Sequence, residues 1–123
     1  MNKQAIKKVL ITGANGFIGG TLMRYYQNQG QDVIGVDLVG NGADILEGDI
    51  SQPDTISHLL KECDVIVHTA ALVSNAMQDS DMWRVNVLAT RNLITAAKEH
   101  KVRRFVQISS VVAYGNSAEG ELD

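Results

Sequence analysis

Three glycines, two carboxylates and one hydroxyl hold the positions in this sequence from which chemistry could be done. Gly13, Gly16 and Gly19 follow directly behind the apolar triplet Val9-Leu10-Ile11, and an apolar-periodic segment opens after them. A strand, a tight glycine turn and a helix start, in that order, make a phosphate-binding corner for a dinucleotide. Gly13 would allow the sharp turn, and Gly16 would let backbone approach a pyrophosphate. Gly19 would let the helix lie close to the sheet. The free N–H groups and positive dipole end of that helix would then face the anion.

Asp37 lies 18 residues beyond Gly19, closing a second apolar run, Val33-Ile-Gly-Val36. A carboxylate there can accept both ribose hydroxyls of an adenosine and repel a 2′-phosphate. Its neighbour Leu38 brings no positive charge, so NAD is favoured over NADP; the plainer reading is an exposed acid on a strand-end loop. Asp49 stands where an adenine edge could lie, with Ile50 packing beside it. It could equally cap or turn the chain into the segment that begins at Pro53. Thr69, Ala70 and Ala71 are small enough for backbone to run close beneath a flat cofactor, or they form a tight exit from a strand. Ser110 puts a hydroxyl past the end of the last apolar run, where a substrate near the nicotinamide would be. The alternative is a Ser109-Ser110 pair that caps the strand.

His68 is expected to be structural, because it closes an apolar strand and has no second ligand at metal spacing. His58 and His100 fall on helical segments. Met77, Met82 and Trp83 read as packing residues, and Asn86 falls one turn into a long helical pattern.

The elements that must hold these residues alternate. Phe17, Ile18, Leu22, Met23 and Tyr26 make one apolar face at helical spacing, with Gly30 where a helix ends. Asp32–Asp37 is a strand, and Ile45-Leu46 a brief third one. Pro53 suits the first turn of a helix whose inner side is Ile56, Leu59 and Leu60. Asp64–His68 is apolar between its ends, as a parallel strand covered on both faces should be. Ser74–Asp81 is polar and loop-like. Met82 to His100 has the longest helical pattern, with Val85, Leu88, Leu93, Ala96 and Ala97 facing inward. Phe105–Ile108 is a fifth strand, and Asn116–Asp123 has no pattern.

Such alternation predicts an α/β fold, a Rossmann-like doubly wound parallel sheet of about five strands. In that sheet Gly13, Asp37, Asp49, Thr69–Ala71 and Ser109-Ser110 all fall at carboxyl ends of strands, where ligands bind.

The chain has 123 residues, enough for one domain. Its 11 basic and 14 acidic residues give a net charge of −3 with no basic run, which argues against a nucleic-acid partner. The apolar triplet after Lys7-Lys8 breaks too soon for an export signal, and no stretch approaches a membrane span. Cys63 is the sole cysteine, so no internal disulfide is possible and the expected compartment is the cytoplasm.

With these residues in hand, the chain resembles the N-terminal part of the extended short-chain dehydrogenase/reductase family, the NAD-dependent epimerase/dehydratase group. Thr12-Gly-Ala-Asn-Gly-Phe-Ile-Gly19 is similar to its T-G-x-x-G-F-I-G signature, and Gly48-Asp49-Ile50 to its G-D-[LI] adenine contact. His68-Thr-Ala-Ala71 resembles its H-x-A-A/G stretch, and Ser109-Ser-Val-Val-Ala-Tyr-Gly115 its S-S-x-x-x-Y-G. Val85-Asn-Val-Leu-Ala-Thr90 is similar to V-N-x-x-G-T, with Ala89 replacing the usual glycine. The resemblance implies that Phe17 and Ile18 offer backbone N–H groups to the pyrophosphate. It also implies that Asn86 lines the nicotinamide side and that Ser110 orients the substrate hydroxyl or carbonyl.

One departure stands out. The family's proton chemistry rests on a Tyr-x-x-x-Lys pair, whereas Gln29, Gly30 and Ala118 follow Tyr25, Tyr26 and Tyr114 at that spacing. A tuned base is needed for hydride transfer next to a carbinol. The expectation is therefore residues 1–123 as the NAD-binding Rossmann domain of a longer enzyme, a fragment lacking the substrate-binding C-terminal region and inactive alone. The whole enzyme would be an oxidoreductase or sugar-nucleotide epimerase/dehydratase, passing hydride between NAD and a small-molecule hydroxyl or carbonyl substrate. Sugar nucleotides, steroids and ketones are the candidate substrates. The short stretch from Asp37 to Asp49 has little room for an extra helix, which leans towards steroids or ketones. Uncovered apolar faces would favour self-association, for which a homodimer is one form, or leave the fold marginally stable. Two rival readings remain: a non-catalytic dinucleotide-binding or redox-sensing module, and a plain interaction domain.

Overall fold

The computed structural model describes residues 6–69 and 79–108. Its elements are β1 (Val9–Thr12), α1 (Phe17–Asn28), β2 (Val33–Asp37), β3 (Ile45–Glu47), α2 (Ser57–Leu60), β4 (Val65–His68), α3 (Asp79–Glu99) and β5 (Arg104–Gln107). A single 3-10 turn, Pro53–Ile56, leads into α2. The strands form one parallel sheet in the order β3-β2-β1-β4-β5. The sequence order reverses at β1, between β2 and β4, so the crevice at the switch point opens above the end of β1. That is where an open doubly wound sheet binds its ligand.

Alternation along the strands sorts the core into two layers. Leu10, Val36 and Ile66 point to the face covered by Ile56, Leu59, Leu60, Leu93, Ala96 and Ala97. Val9, Ile11, Val65 and Val67 point the other way, towards Ala14 and Met23, with Leu22 and Tyr26 packed at the margin. Each fully buried Leu or Ile adds roughly 1.5–3 kcal/mol, so both layers contribute to fixing the register of the strands.

Four details differ from the sequence expectations. Phe17 and Ile18 do not join the buried face of α1: Phe17 is 87% exposed, because helical geometry turns Phe17 and Ile18 about 120° and 140° away from the buried Met23. Leu88 is 44% exposed and Ala89 is buried in its place. Five residues separate Leu88 from Leu93, which turns them about 140° apart on a helix, whereas Ala89 lies four residues from Leu93 on one face. Helix α3 begins at Asp79, inside the stretch expected to be a loop. The segment at Pro53 is a 3-10 turn followed by four α-helical residues, and Ile56, Leu59 and Leu60 are buried as expected. No helix joins β2 to β3.

Candidate functional site

The corner after β1 is built from backbone. Gly13 has φ +68°, a left-handed conformation that side chains disfavour, and its carbonyl accepts the Gly16 N–H at 3.0 Å. A Cβ on Gly19 would come 2.1 Å from the Gly13 oxygen, so the helix seats directly against the turn. The close approach to the sheet is made at Gly35 on β2, where a Cβ would meet the Ala14 methyl at 2.5 Å. Gly16 caps α1 with no side-chain bond, and no acidic residue sits in the first turn. The opening N–H groups of a helix lack intrahelical partners and carry its positive dipole end. Phe17 and Ile18 stand at that opening, which suits them to receive an anion.

Asp37 ends β2, half-buried, with both carboxylate oxygens bonded to backbone. Oδ2 accepts the Asn15 N–H at 2.9 Å, and Oδ1 accepts the Leu38 N–H at 2.8 Å. Each oxygen keeps a lone pair for a further donor. Asn15 also donates through Nδ2 to the Val39 carbonyl at 2.6 Å. This residue escaped the sequence reading; the only hint was a side-chain amide inside the glycine turn.

Asp49 closes a local Asx turn, its Oδ1 accepting the Ser51 N–H at 2.9 Å and the Ser51 hydroxyl at 2.7 Å. The turn alternative raised for Asp49 is therefore realised. Ile50 is half-buried and packs against the core layer containing Leu10 and Ile66. Asn92 of α3 donates to the Ser51 carbonyl at 3.1 Å, tying this loop to the helix.

His68 is the centre of a buried polar cluster and is 2% exposed. Its Nδ1 pairs with the Thr12 hydroxyl at 2.7 Å and its Nε2 with the Thr90 hydroxyl at 3.0 Å. Burial lowers its pKa to about 4, so the ring is neutral at physiological pH. The Thr69 N–H donates to Thr12 Oγ1 at 3.1 Å, and the Thr69 hydroxyl donates to the Thr12 carbonyl at 2.7 Å. The ends of β1 and β4 are thereby locked together and to α3. Asn86 lies half-buried on α3, one turn before Thr90. Ala70, Ala71 and Ser110 lie outside the described residues. Burial pushes the Cys63 thiol up to about 11, which removes it as a nucleophile.

A groove of about 470 Å³ opens beside α1, lined among others by Asn15, Gly16, Phe17, Arg24, Asn41 and Asp44. Bonds from Asn41 and then Gln27 hold the Asp44 carboxyl below the usual carboxylate range. Among the described residues, no three His, Cys, Asp or Glu side chains converge as a metal site. No described helix is long and apolar enough to cross a membrane.

A doubly wound parallel sheet with a glycine turn, an open helix N-terminus and an acid ending the next strand defines a dinucleotide-binding class of protein. The NAD dependent epimerase/dehydratase family model matches residues 9–123, and the chain belongs to that family. It is 32% identical over 128 residues to a 3 beta-hydroxysteroid dehydrogenase/Delta 5-->4-isomerase of Mycobacterium tuberculosis, covering 92% of this chain and 35% of the relative. A crystal structure of a short-chain dehydrogenase/reductase superfamily protein from Agrobacterium tumefaciens with bound NAD superposes with a TM-score of 0.74. It is 32% identical, over 84% of this chain and 32% of that one. UDP-glucose 4-epimerase from Bifidobacterium longum, in complex with NAD+ and UDP, gives a TM-score of 0.73 at 26% identity. That match covers 89% of this chain and 38% of the epimerase. The chain thus spans about a third of the length of the curated relatives it matches.

Proposed function

We propose that residues 1–123 form the NAD-binding Rossmann domain of an oxidoreductase, epimerase or dehydratase acting on a small hydroxyl or carbonyl substrate. The observation that carries this reading is the pairing of the uncapped α1 N-terminus with the fixed Asp37 carboxylate one strand away. NAD, when bound, supplies the hydride acceptor or donor. The N–H groups of Phe17 and Ile18, at the turn shaped by Gly13, Gly16 and Gly19, hold its pyrophosphate. Asp37 accepts the adenosine ribose hydroxyls and disfavours NADP through like-charge repulsion with a 2′-phosphate. Asp49 and Ile50 border the adenine. Thr69, Ala70 and Ala71 floor the cofactor, Asn86 lines its nicotinamide side, and Ser110 orients the substrate oxygen.

The short β2–β3 connection supports a steroid or ketone substrate over a sugar nucleotide. Val106 and Ile108 leave apolar surface at the β5 edge, which supports self-association as a homodimer. A lone buried thiol supports a cytoplasmic setting.

A second reading is a dinucleotide-binding module without turnover. None of Tyr25, Tyr26 and Tyr114 has a lysine four residues on, so these residues include no Tyr-Lys pair to move the proton. Titrating the protein with NADH and following the nicotinamide fluorescence tests both. Saturable binding is expected; no binding overturns the cofactor reading. Turnover with a panel of hydroxysteroids, ketones and sugar nucleotides then separates an enzyme from a silent binder.

A further inference from the structure

Asn15 is exposed, yet it makes two bonds across a gap that separates it from its partners by more than 20 residues. Its backbone N–H holds Asp37 Oδ2 at 2.9 Å, and its side-chain Nδ2 holds the Val39 carbonyl at 2.6 Å. With Leu38 N–H on Oδ1 at 2.8 Å, the carboxylate is gripped from both sides and cannot rotate about its last bond without losing one of them. The side-chain bond does something separate. It pulls the Leu38–Val39 segment against the glycine turn, and this segment is the wall beside Asp37. Both side chains of that wall are apolar and exposed, at 62% and 69%. Arg24, the cation in the neighbouring groove, donates to the Thr21 hydroxyl on its own helix at 3.5 Å. A phosphate on the ribose would need room and a positive partner beside Asp37. The stapled wall, being apolar, supplies no positive partner.

We propose that Asn15 is a second determinant of nucleotide choice, acting by stapling the loop after β1 to the loop after β2. The backbone N–H groups of Asn15 and Leu38 hold Asp37 towards a ribose diol, and the staple holds the wall beside it across the space that a 2′-phosphate would occupy. This rests on the reading of Asp37 as the ribose-binding acid. Without the amide, Leu38 and Val39 are free to swing away from the turn, and a larger, more charged nucleotide gains entry even though Asp37 remains.

Asn15→Ala is the clean probe, because alanine keeps the backbone N–H on Asp37 and removes only the staple. Dissociation constants for NAD and for NADP are measured by calorimetry on the protein, Asn15→Ala, Asp37→Ala and the double variant. One neutral hydrogen bond is worth about 1 kcal/mol, and 1.4 kcal/mol is tenfold. Asn15→Ala should therefore narrow the preference for NAD by roughly 3- to 10-fold, mainly through tighter NADP binding. The double variant should change less than the product of the two single effects, since both act through one carboxylate and one wall. If Asp37→Ala narrows the preference and Asn15→Ala leaves it unchanged, the staple has no part in selection and the proposal is wrong. If Asp37→Ala leaves the preference unchanged, the ribose assignment itself fails and the Asn15 proposal goes with it.

Discussion

Two polar clusters sit at the carboxyl ends of the central strands, and they differ in what surrounds them. One, around His68, is sealed between β1, β4 and α3, and both ring nitrogens are bonded inside the protein. The other, around Asp37, lies at the rim, and its carboxylate uses backbone N–H groups while keeping acceptor capacity outward. A buried polar group with all its partners in place sets geometry and has nothing left for a ligand. A rim group held still but not saturated can bind one. The first cluster therefore braces the fold, and the second carries the proposed nucleotide choice.

The largest expected effect breaks the buried cluster. His68→Ala leaves a cavity and deprives the Thr12 and Thr90 hydroxyls of a partner, which should cost about 4 kcal/mol of unfolding free energy. Urea denaturation of the variant reads this directly. A loss under about 1 kcal/mol would mean that the cluster is not the brace described. In material that still folds, the ratio of NAD to NADP affinity should match that of the parent.

A pH series is the next probe. The unfolded His68 ring takes up a proton near pH 6.5, while burial keeps the folded ring neutral down to about pH 4. Because the folded pKa is the lower one, this group's contribution is whole above pH 6.5. It is lost as pH falls from there to about 4, by on the order of 3 kcal/mol. His68→Gln, which cannot titrate, should flatten stability across that window; an unchanged slope would place the pH dependence elsewhere.

Asp49 sharpens the comparison from the rim side, since it is also an acid beyond the end of a strand but spends Oδ1 on its own turn. Asp49→Ala should cost about 1 kcal/mol in stability and change NAD binding less than Asp37→Ala does. Equal losses of NAD affinity in the two variants would erase the distinction drawn between them.

Much of this was legible in the sequence because it is local. The glycine turn, the acid ending β2 and the apolar strands are each encoded within a few residues, and the alternation of elements placed their functional ends together. What the sequence concealed is long-range. His68 finds Thr12 across 56 residues and Thr90 across 22, and Asn15 reaches Val39 across 24. No periodicity reports such pairings. The misplaced start of α3 has a local cause: Asp79, Ser80 and Asp81 read as loop by polarity, although acids are also favoured in a helix's first turn. Phe17 and Ile18 show the reverse error, since apolar character suggested a shared face while helical geometry turns them about 120° and 140° away from the buried Met23.

The most direct test of the central claim is the ratio of NAD to NADP dissociation constants in the parent protein and in Asp37→Ala. Hydrogen bonds to a charged group are worth about 1.5–3 kcal/mol. NAD affinity should therefore fall by roughly 10- to 100-fold, while NADP affinity holds or improves, and the preference should narrow or reverse. A ratio that stays fixed, with unfolding free energy also unchanged, would contradict the assignment of Asp37 and the α1 N-terminus as one nucleotide site.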